Sequence, residues 1–594
     1  MFKGFAGKLL FADLSEGRVW EESLDEDLAR QFVGGYGLGA KVIYSMQPAE
    51  VDPLGPEAVL GFVSGPLAGT GTPFGVRYQV VGKSPLTGTW GDASCSGGFA
   101  PELKKAGFDA VFVKGIAEGP VYLWIEDGKA ELRDASHLWG LDIWETEDRL
   151  REELGDSRIH CTTIGPAGEM KSLIACPITD KGNAPGRSGL GAVMGAKRLK
   201  AIAARGTRTV PVADAEKLKA MAREAVRQEL SELRGIRQYG TCAGTAAAIF
   251  SGDCPIKNWA GVGEELMPNA ENISDENVIK YQMHKVTCPP CPVACNGIVR
   301  VASGPYATEW AQKPEYETLG AFGGMLVNDN MESIIKCNEF CDRYGLDTIS
   351  VGATIAFAME CYEKGIITQE EADGLDLTWG NHQAIVTLTE KIAKREGFGA
   401  VLADGARVAS QRIGKGSEAY VMDVHGQELP MHDPKLALKM DRPISLALTY
   451  QTDATPGRHT ASIDPAFRPI NATGLCSIGS RYFQGEKLAE YLNAATGLDF
   501  TEAELREIGE RIGCMRQAFN LREGFTPEDF RMPDRVVGNP PFQSGPLAGV
   551  TLDMDTAVIE YFQSIDWNPE TGKPSRELLE RLGGLDEVIA DLYG

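Results

Sequence analysis

Three cysteines stand at Cys288-Pro-Pro-Cys291-Pro-Val-Ala-Cys295, and thiolates at C-x2-C-x3-C spacing can take three corners of an iron–sulfur cluster. Pro289, Pro290 and Pro292 keep the intervening backbone out of a helix, as a loop wrapped around an inorganic core requires. A cluster loop that leaves one iron open for a radical cosubstrate reads C-x3-C-x2-C. The reversed order here suits a closed cluster that relays electrons. Zinc is the rival, and it would need further close ligands where no second C-x2-C or H-x3-H lies nearby. Three buried structural cysteines are the remaining alternative.

A fourth ligand must come from elsewhere, and an internal echo offers one. Asp342-Arg-Tyr-Gly345-Leu346-Asp347 and Asn471-Ala-Thr-Gly474-Leu475-Cys476 share the form (D/N)-x-x-G-L-(D/C). An Asp or Asn side chain can hydrogen-bond a polar heterocycle, and glycine lets the backbone approach it. Cys476 would then complete the cluster beside that ring. Each Gly-Leu also reads as a helix C-cap followed by a buried leucine.

The elements that must position these residues change texture along the chain. Residues 1 to about 210 carry short β-branched and aromatic runs broken by glycine turns, such as Asp109-Ala-Val-Phe-Val-Lys114 and Val121-Tyr-Leu-Trp-Ile125. From Asp214 onward, apolar residues recur at three and four, as in 214–225 and 331–343, which predicts helices. A third segment from about 420 holds His425, His432, His459 and Cys476 and ends in amphipathic helices such as 575–582. With 594 residues, 43% hydrophobic and 24% charged, the chain has ample material for a folded core. A net charge of −24 and a pI near 4.9 exclude nucleic acid and anionic membranes as partners. No stretch reads as a membrane span or a signal-like apolar core, so the expected location is cytoplasmic. The thirteen cysteines form no regular framework and read as reduced thiols and ligands.

Further motifs carry a resemblance. Ser64-Gly-Pro-Leu-Ala-Gly69, Lys83-Ser-Pro-Leu-Thr-Gly88, residues 96–107, Ile164-Gly-Pro-Ala-Gly-Glu169, Gly186-Arg-Ser-Gly-Leu-Gly-Ala-Val-Met-Gly195 and Pro314-Glu-Tyr-Glu-Thr318 join the cysteine loop and the two Gly-Leu loops. Nearly end to end, the chain resembles the tungsten-containing aldehyde:ferredoxin oxidoreductases. The resemblance implies an α+β fold: a β-rich N-terminal pterin-binding domain over 1–210, then two mainly α-helical domains. Residues 211–420 would carry the cluster loop and first pterin loop, and 421–594 the second pterin loop and fourth cysteine.

It further implies a tungsten, or molybdenum, held by the dithiolenes of two pterins without a protein ligand, one [4Fe-4S] cluster, and a Mg2+ bridging the pterin phosphates. Cys288, Cys291, Cys295 and Cys476 would ligate the cluster. Asp342 and Asn471 would hydrogen-bond the pterins, with Gly345, Asp347, Gly474 and Leu475 in the same loops. Arg77 and Arg187 would lie near phosphates, together with the glycines of Gly34–Gly39 and Gly189–Gly195, and the Ala184 carbonyl would ligate magnesium. Asn471 stands where the family has Asp. At the second magnesium ligand the family shows Asn-Ser-Gly-Gly, and this chain reads Cys95-Ser96-Gly97-Gly98; that assignment stays open.

Glu317 matches the family's active-site glutamate, with Glu315 as second choice, and desolvation by a buried cofactor would raise it towards a working base. A capping carboxylate is the structural alternative. His459 matches the second active-site group, with His425 and His432 as rivals. The activity implied is oxidation of an aldehyde to a carboxylic acid, with electrons passed through the cluster to ferredoxin or a partner iron–sulfur subunit. Lys197, Arg198, Lys200 and Arg205 offer a basic docking patch or a solvated helix face. Two alternatives stand beside this: a benzoyl-CoA reductase-type catalytic subunit, and a non-catalytic electron-transfer subunit. Homo-oligomer and hetero-complex both stay open. The family's E-x-x-H metal motif falls on Lys336-Cys-Asn-Glu339, so a dimer built on that metal is not expected.

Overall fold

The computed structural model of the chain describes residues 2–479 and 481–594. Its first third holds two sheets. Strands β1 (Lys8–Asp13), β2 (Arg18–Ser23), β3 (Leu60–Ser64), β4 (Tyr78–Lys83), β5 (Trp90–Cys95) and β6 (Ala110–Lys114) pair in the order β2-β1-β6-β3-β4-β5. Strands β7 (Val121–Glu126), β8 (Lys129–Asp134), β9 (His160–Thr163), β10 (Ile178–Thr179) and β11 (Leu199–Arg205) pair as β10-β9-β11-β7-β8. The β-branched run Val111–Val113 and the valines of β4 are fully buried because both faces of the first sheet are covered.

Beyond residue 214 the chain is mainly helical, as its apolar spacing predicts, apart from two small antiparallel sheets, one of them only Asp423–Val424 paired with Gln427–Glu428. Strands β12 (Gln282–Val286), β13 (Asn296–Val301) and β14 (Thr308–Gln312) form a small antiparallel sheet. Val286 pairs with Asn296, so the cysteine loop is the loop of the β12–β13 hairpin. The helix Thr348–Glu363 is buried on nearly every side and shows no amphipathic stripe. It begins where the Asp347 carboxylate accepts from the Ile349 amide.

The two Gly-Leu loops use the same device. Gly345 closes the helix Met331–Tyr344 in the left-handed conformation (φ 78°), and Gly474 (φ 85°) follows the helix Arg468–Ala472. Leu346 and Leu475 then bridge the N-terminal domain at Ala175 and Gly75. Gly165 and Gly65 allow this contact: a Cβ would stand 2.4 Å from the Tyr344 carbonyl oxygen at the first and 2.0 Å from the Thr473 carbonyl carbon at the second. Two Gly-Pro turns of the first domain thus receive the two loops of the later chain. The glycines therefore act as caps, as the alternative reading has it, and the leucines dock on the N-terminal region.

Two expectations need correction. Lys197 and Lys200 are buried, Lys200 on Glu169 at 2.5 Å, while Arg205 bonds Glu102 and Asp156 at 2.9 Å. Residues 199–205 are a strand, and Arg198, which bonds the Glu118 carbonyl, is the one exposed cation of the four, so they form neither a docking patch nor a solvated helix face. The glycines of 34–39 and 189–195 serve chain packing instead of facing a ligand. A Cβ on Gly35 would meet the Asn471 carbonyl at 2.6 Å, and one on Gly195 the Gly168 carbonyl at 1.8 Å.

Candidate active site

Between the sheets and the helical region lies a cavity lined by residues from all three thirds of the chain. Arg77, Ala184, Arg187, Cys288, Cys291, Cys295, Glu315, Glu317, Asp342, Asp347, His459 and Cys476 all face it. Gly345, Gly474, Leu475 and Asn471 do not line it. They act through the backbone: the Gly474 carbonyl accepts from the Val76 and Arg77 amides, at 3.1 and 2.9 Å, and so fixes where Arg77 starts. The Asn471 carbonyl is met by Gln79 Nε2 at 3.4 Å.

The cysteine loop and Cys476 come from separate parts of the chain and line the same cavity. Cys288, Cys291 and Cys295 are half-buried on the hairpin loop, and Cys476 is buried. Burial pushes Cys288 up to about 12, and the neighbouring thiols, Cys476 first, add to the effect. Such thiols become thiolates only when metal charge compensates them. Among the described residues, no three His, Cys, Asp or Glu side chains converge tightly enough for a single metal ion. Cys288, Cys291, Cys295 and Cys476 nonetheless all line the one cavity.

Anionic groups fit the rest of the cavity. Arg77, Arg187 and Arg458 line it, and each keeps a buried Nε without a partner. Unsatisfied buried guanidinium donors of this kind are costly unless an acceptor such as phosphate meets them. Arg77 Nη1 donates to Ser94 Oγ at 2.9 Å, and Arg187 is held by Asp347 at 3.2 Å and by the Glu428 carbonyl. Burial pushes Asp342 well above the carboxylate range, and Glu315 adds to it. It lines the cavity with Oδ2 accepting from Asn338 Nδ2 at 3.0 Å.

Cys95 and its surroundings lie beside Asn183 and Ala184. The Cys95 thiol is buried, donates towards the Asn183 carbonyl at 3.3 Å and is pushed up to about 12 by burial. It stays neutral and is no ligand for a hard cation. Asn183 Oδ1, beside Ala184, accepts from Ser96 Oγ at 3.2 Å and Asn296 Nδ2 at 3.1 Å. Asn183 itself lines the cavity next to Ala184.

Glu317 sits in the first turn of the helix Tyr316–Phe322. Its Oε2 accepts from the Met431 amide at 2.8 Å, while Oε1 is buried and makes no hydrogen bond. Two imidazoles flank Oε1: His432 Nε2 at 3.4 Å and His459 Nε2 at 3.5 Å, both long for a made hydrogen bond. Desolvation raises the Glu317 carboxyl, with the His432 charge opposing it.

The two rings are pushed apart. Burial and the charges of His432, Arg187 and Arg458 hold His459 well below the ordinary histidine range. Burial also pulls His432 down, yet its bond to Asp253 and the charge of Glu317 outweigh that, so it lies above the ordinary range. Its Nδ1 is 2.9 Å from Asp253 Oδ2, and Tyr316 stacks on its ring at 4.7 Å. Paired groups with opposed shifts mark acid–base assignments. Thus His432, a rival at the sequence level, joins His459 at Glu317, and His425 does not. His425 packs between Phe525 and Phe530 and bonds the Asp529 carbonyl at 2.9 Å. Asp253 gave no sequence signal, standing 179 residues from His432.

Comparison with known proteins places the whole chain. The family model of the aldehyde ferredoxin oxidoreductase N-terminal domain matches residues 9–206, and that of domains 2 and 3 matches 217–470 and 466–583. The tungsten-containing aldehyde ferredoxin oxidoreductase of Pyrococcus furiosus is 38% identical, over 99% of both chains. The WOR-like subunit of the aliphatic sulfonate oxidoreductase of the same organism is 33% identical, over 98% of this chain and 97% of its own. Among solved structures, the active-site complex BamBC of benzoyl coenzyme A reductase with 1,5-dienoyl-CoA shares the fold. It gives a TM-score of 0.83 at 23% identity, over 99% of this chain and 98% of that one. On the strength of these full-length matches, the chain belongs to the aldehyde ferredoxin oxidoreductase family.

Proposed function

We propose that the protein oxidises aldehydes to carboxylic acids at a tungsten–bispterin centre and passes the electrons through one [4Fe-4S] cluster to a ferredoxin or a partner iron–sulfur subunit. The observation that carries this reading is the buried, unpartnered Oε1 of Glu317, flanked by two imidazoles in the cavity that the four cysteines also face. Cys288, Cys291, Cys295 and Cys476 would hold the cluster. Arg77, Arg187, the Ala184 carbonyl, Asp342, Asp347 and the loop of Asn471 would hold the pterins and their magnesium. Once bound, the tungsten cofactor supplies a two-electron acceptor for the C–H bond of the substrate.

The chain's own residues handle the protons. Oxidation of an aldehyde hydrate to the acid releases two electrons and two protons. Glu317 Oε1 takes a proton from a hydroxyl of the hydrate, for which its raised basicity suits it. His432 Nε2 stands next in line, and the proton crosses as the 3.4 Å gap tightens around substrate. His432 Nδ1 then releases its own proton to Asp253, which is more exposed than the Glu317 carboxylate. His459 stays neutral and can donate one N–H to the substrate oxygen without competing for the proton.

The test is metal analysis of anaerobically purified holoenzyme together with aldehyde-dependent dye reduction. About one tungsten and four irons per chain with turnover support the proposal. The same metals with no aldehyde turnover, but with reduction of an aromatic CoA thioester, would move the function to that of the structural neighbour.

A further inference from the structure

The cluster's surroundings are asymmetric in charge. Across the whole chain 83 of 594 residues are Asp or Glu, yet residues 277–308, which contain the cysteine loop, include none, and neither do residues 233–252. These two acid-free segments meet. Lys285 Nζ reaches the Arg237 carbonyl, Lys313 Nζ donates to the Tyr239 carbonyl at 2.6 Å, and a Cβ on Gly240 would stand 2.4 Å from the Cys295 carbonyl. The helix Arg234–Tyr239 therefore ends against the cluster loop.

Arg234, Arg237, Lys280 and Lys285 are all exposed. Among the described residues none of the four lies within 4.0 Å of a carboxylate, unlike Lys200 and Arg205. Lys285 is held below the usual lysine range by partial burial and by the charges of Lys313 and Arg237, as expected of unneutralised neighbours. Met283 is 54% exposed within the same hairpin, and Pro289 and Pro290 at the loop's tip are exposed. An apolar centre with a basic rim is the make-up of a transient redox interface. Cys288, Cys291 and Cys295 are half-buried where Cys476 is buried, so the hairpin side of the cavity is the more open one.

We propose that the outer face of the β12–β13 hairpin and the helix Arg234–Tyr239 are the docking surface for a small acidic iron–sulfur protein that takes electrons from the cluster. This rests on the reading of the four cysteines as an electron-exit cluster. Each docking event removes one electron, which reduces the acceptor's own cluster, and two events complete one substrate oxidation. On a molecule of net charge −24 an acidic acceptor is repelled by most of the surface, and this patch gives it one orientation to approach.

The test uses holoenzyme and a small acidic ferredoxin as probe. Binding is measured by interferometry across ionic strength, and turnover with the ferredoxin is set against turnover with a small neutral dye. Lys285→Glu and Arg237→Glu are expected to weaken ferredoxin binding about tenfold at low salt and flatten its salt dependence, while dye turnover is kept. Lys129→Glu on β8 changes net charge equally and is expected to leave binding as in the wild type. Ferredoxin affinity within twofold of wild type in both patch variants, or an equal loss in Lys129→Glu, overturns the proposal. Because binding needs no turnover, failure of the aldehyde assay would count against the proposed activity and leave this result readable.

Discussion

His432 is tied to Asp253 by a 2.9 Å bond at Nδ1, on the side of the ring opposite the one that faces Glu317. This bond sets the basicity of the ring. Facing His432 are Asp253, Glu317, His459, Tyr316 and Tyr450, whose hydroxyl donates to the His432 carbonyl at 3.0 Å. The charges of Glu317 and His432 act on one another, so the two are expected to titrate with apparent values that belong to the pair.

Asp253→Asn removes the interaction that holds His432 above its ordinary range. The pair must lose its proton to accept one from substrate, so activity rises as pH rises through its apparent pKa. In the variant that pKa falls, and the acidic limb of the kcat profile moves to lower pH. The plateau drops by about tenfold or more, since the released proton loses its acceptor. A purely structural role for Asp253 would lower the plateau without moving the limb, so a stationary limb in the pH–rate profile would sink the relay.

Glu317→Gln tests the base itself. Glutamine keeps the volume and can still accept from the Met431 amide, so metal content and melting temperature should match the wild type. Loss of the carboxylate should lower kcat by about 10²–10⁴-fold with little change in KM. Glu315→Gln should do far less: its carboxylate already accepts from Thr241 and has no flanking imidazole. Equal losses in the two variants would refute the assignment of Glu317 as base.

How much of this was legible in the sequence depended on the range of the interaction. The cysteine loop was legible as a loop because its three cysteines and the prolines that shape it are neighbours in sequence. The echo of the two Gly-Leu loops was legible as a pattern, but its reason lies in Gly65 and Gly165, whose missing side chains admit those loops from hundreds of residues away. The charge of Lys197 and Lys200 misled, because composition does not tell a buried ammonium bonded to carbonyls and Glu169 from a solvated one. Asp253 was invisible, since only the fold brings it to His432. The cofactor glycines misled for a related reason: a glycine needed for chain-to-chain packing looks the same as one that admits a phosphate.

The loops can be tested through those glycines. Gly165→Ala forces a Cβ into the Tyr344 carbonyl, and the strain falls on the loop that carries Asp342 and Asp347. The expected outcome is a lower melting temperature and reduced tungsten per chain with iron kept, because the cluster cysteines lie on other loops. Gly119→Ala, where the space is open, should change neither. Unaltered tungsten content in a folded Gly165→Ala protein would separate the loop from cofactor retention.

The position of His459 depends in turn on a buried ion network. Asp92 binds Arg458, the residue before His459, and Arg516 at 2.7 Å, and Arg516 also binds Asp453 at 2.7 Å. Burial pushes the Asp92 carboxyl up, but Arg516 and Arg458 outweigh it and hold it at about 2. The sign follows: a carboxyl depressed in the folded state stabilises it fully above the unfolded value near 4, and that contribution is lost as pH falls towards 2. For Asp92 it is on the order of 2 kcal/mol at neutral pH. Arg516→Met leaves Asp92 and Asp453 buried with one partner fewer, which should cost about 3–5 kcal/mol in denaturant unfolding. In the same variant Asp92 is expected to titrate at higher pH, so the acid-induced loss of stability should begin nearer neutrality. A stability loss under about 1 kcal/mol with an unmoved acid transition would show that Arg458 alone holds Asp92.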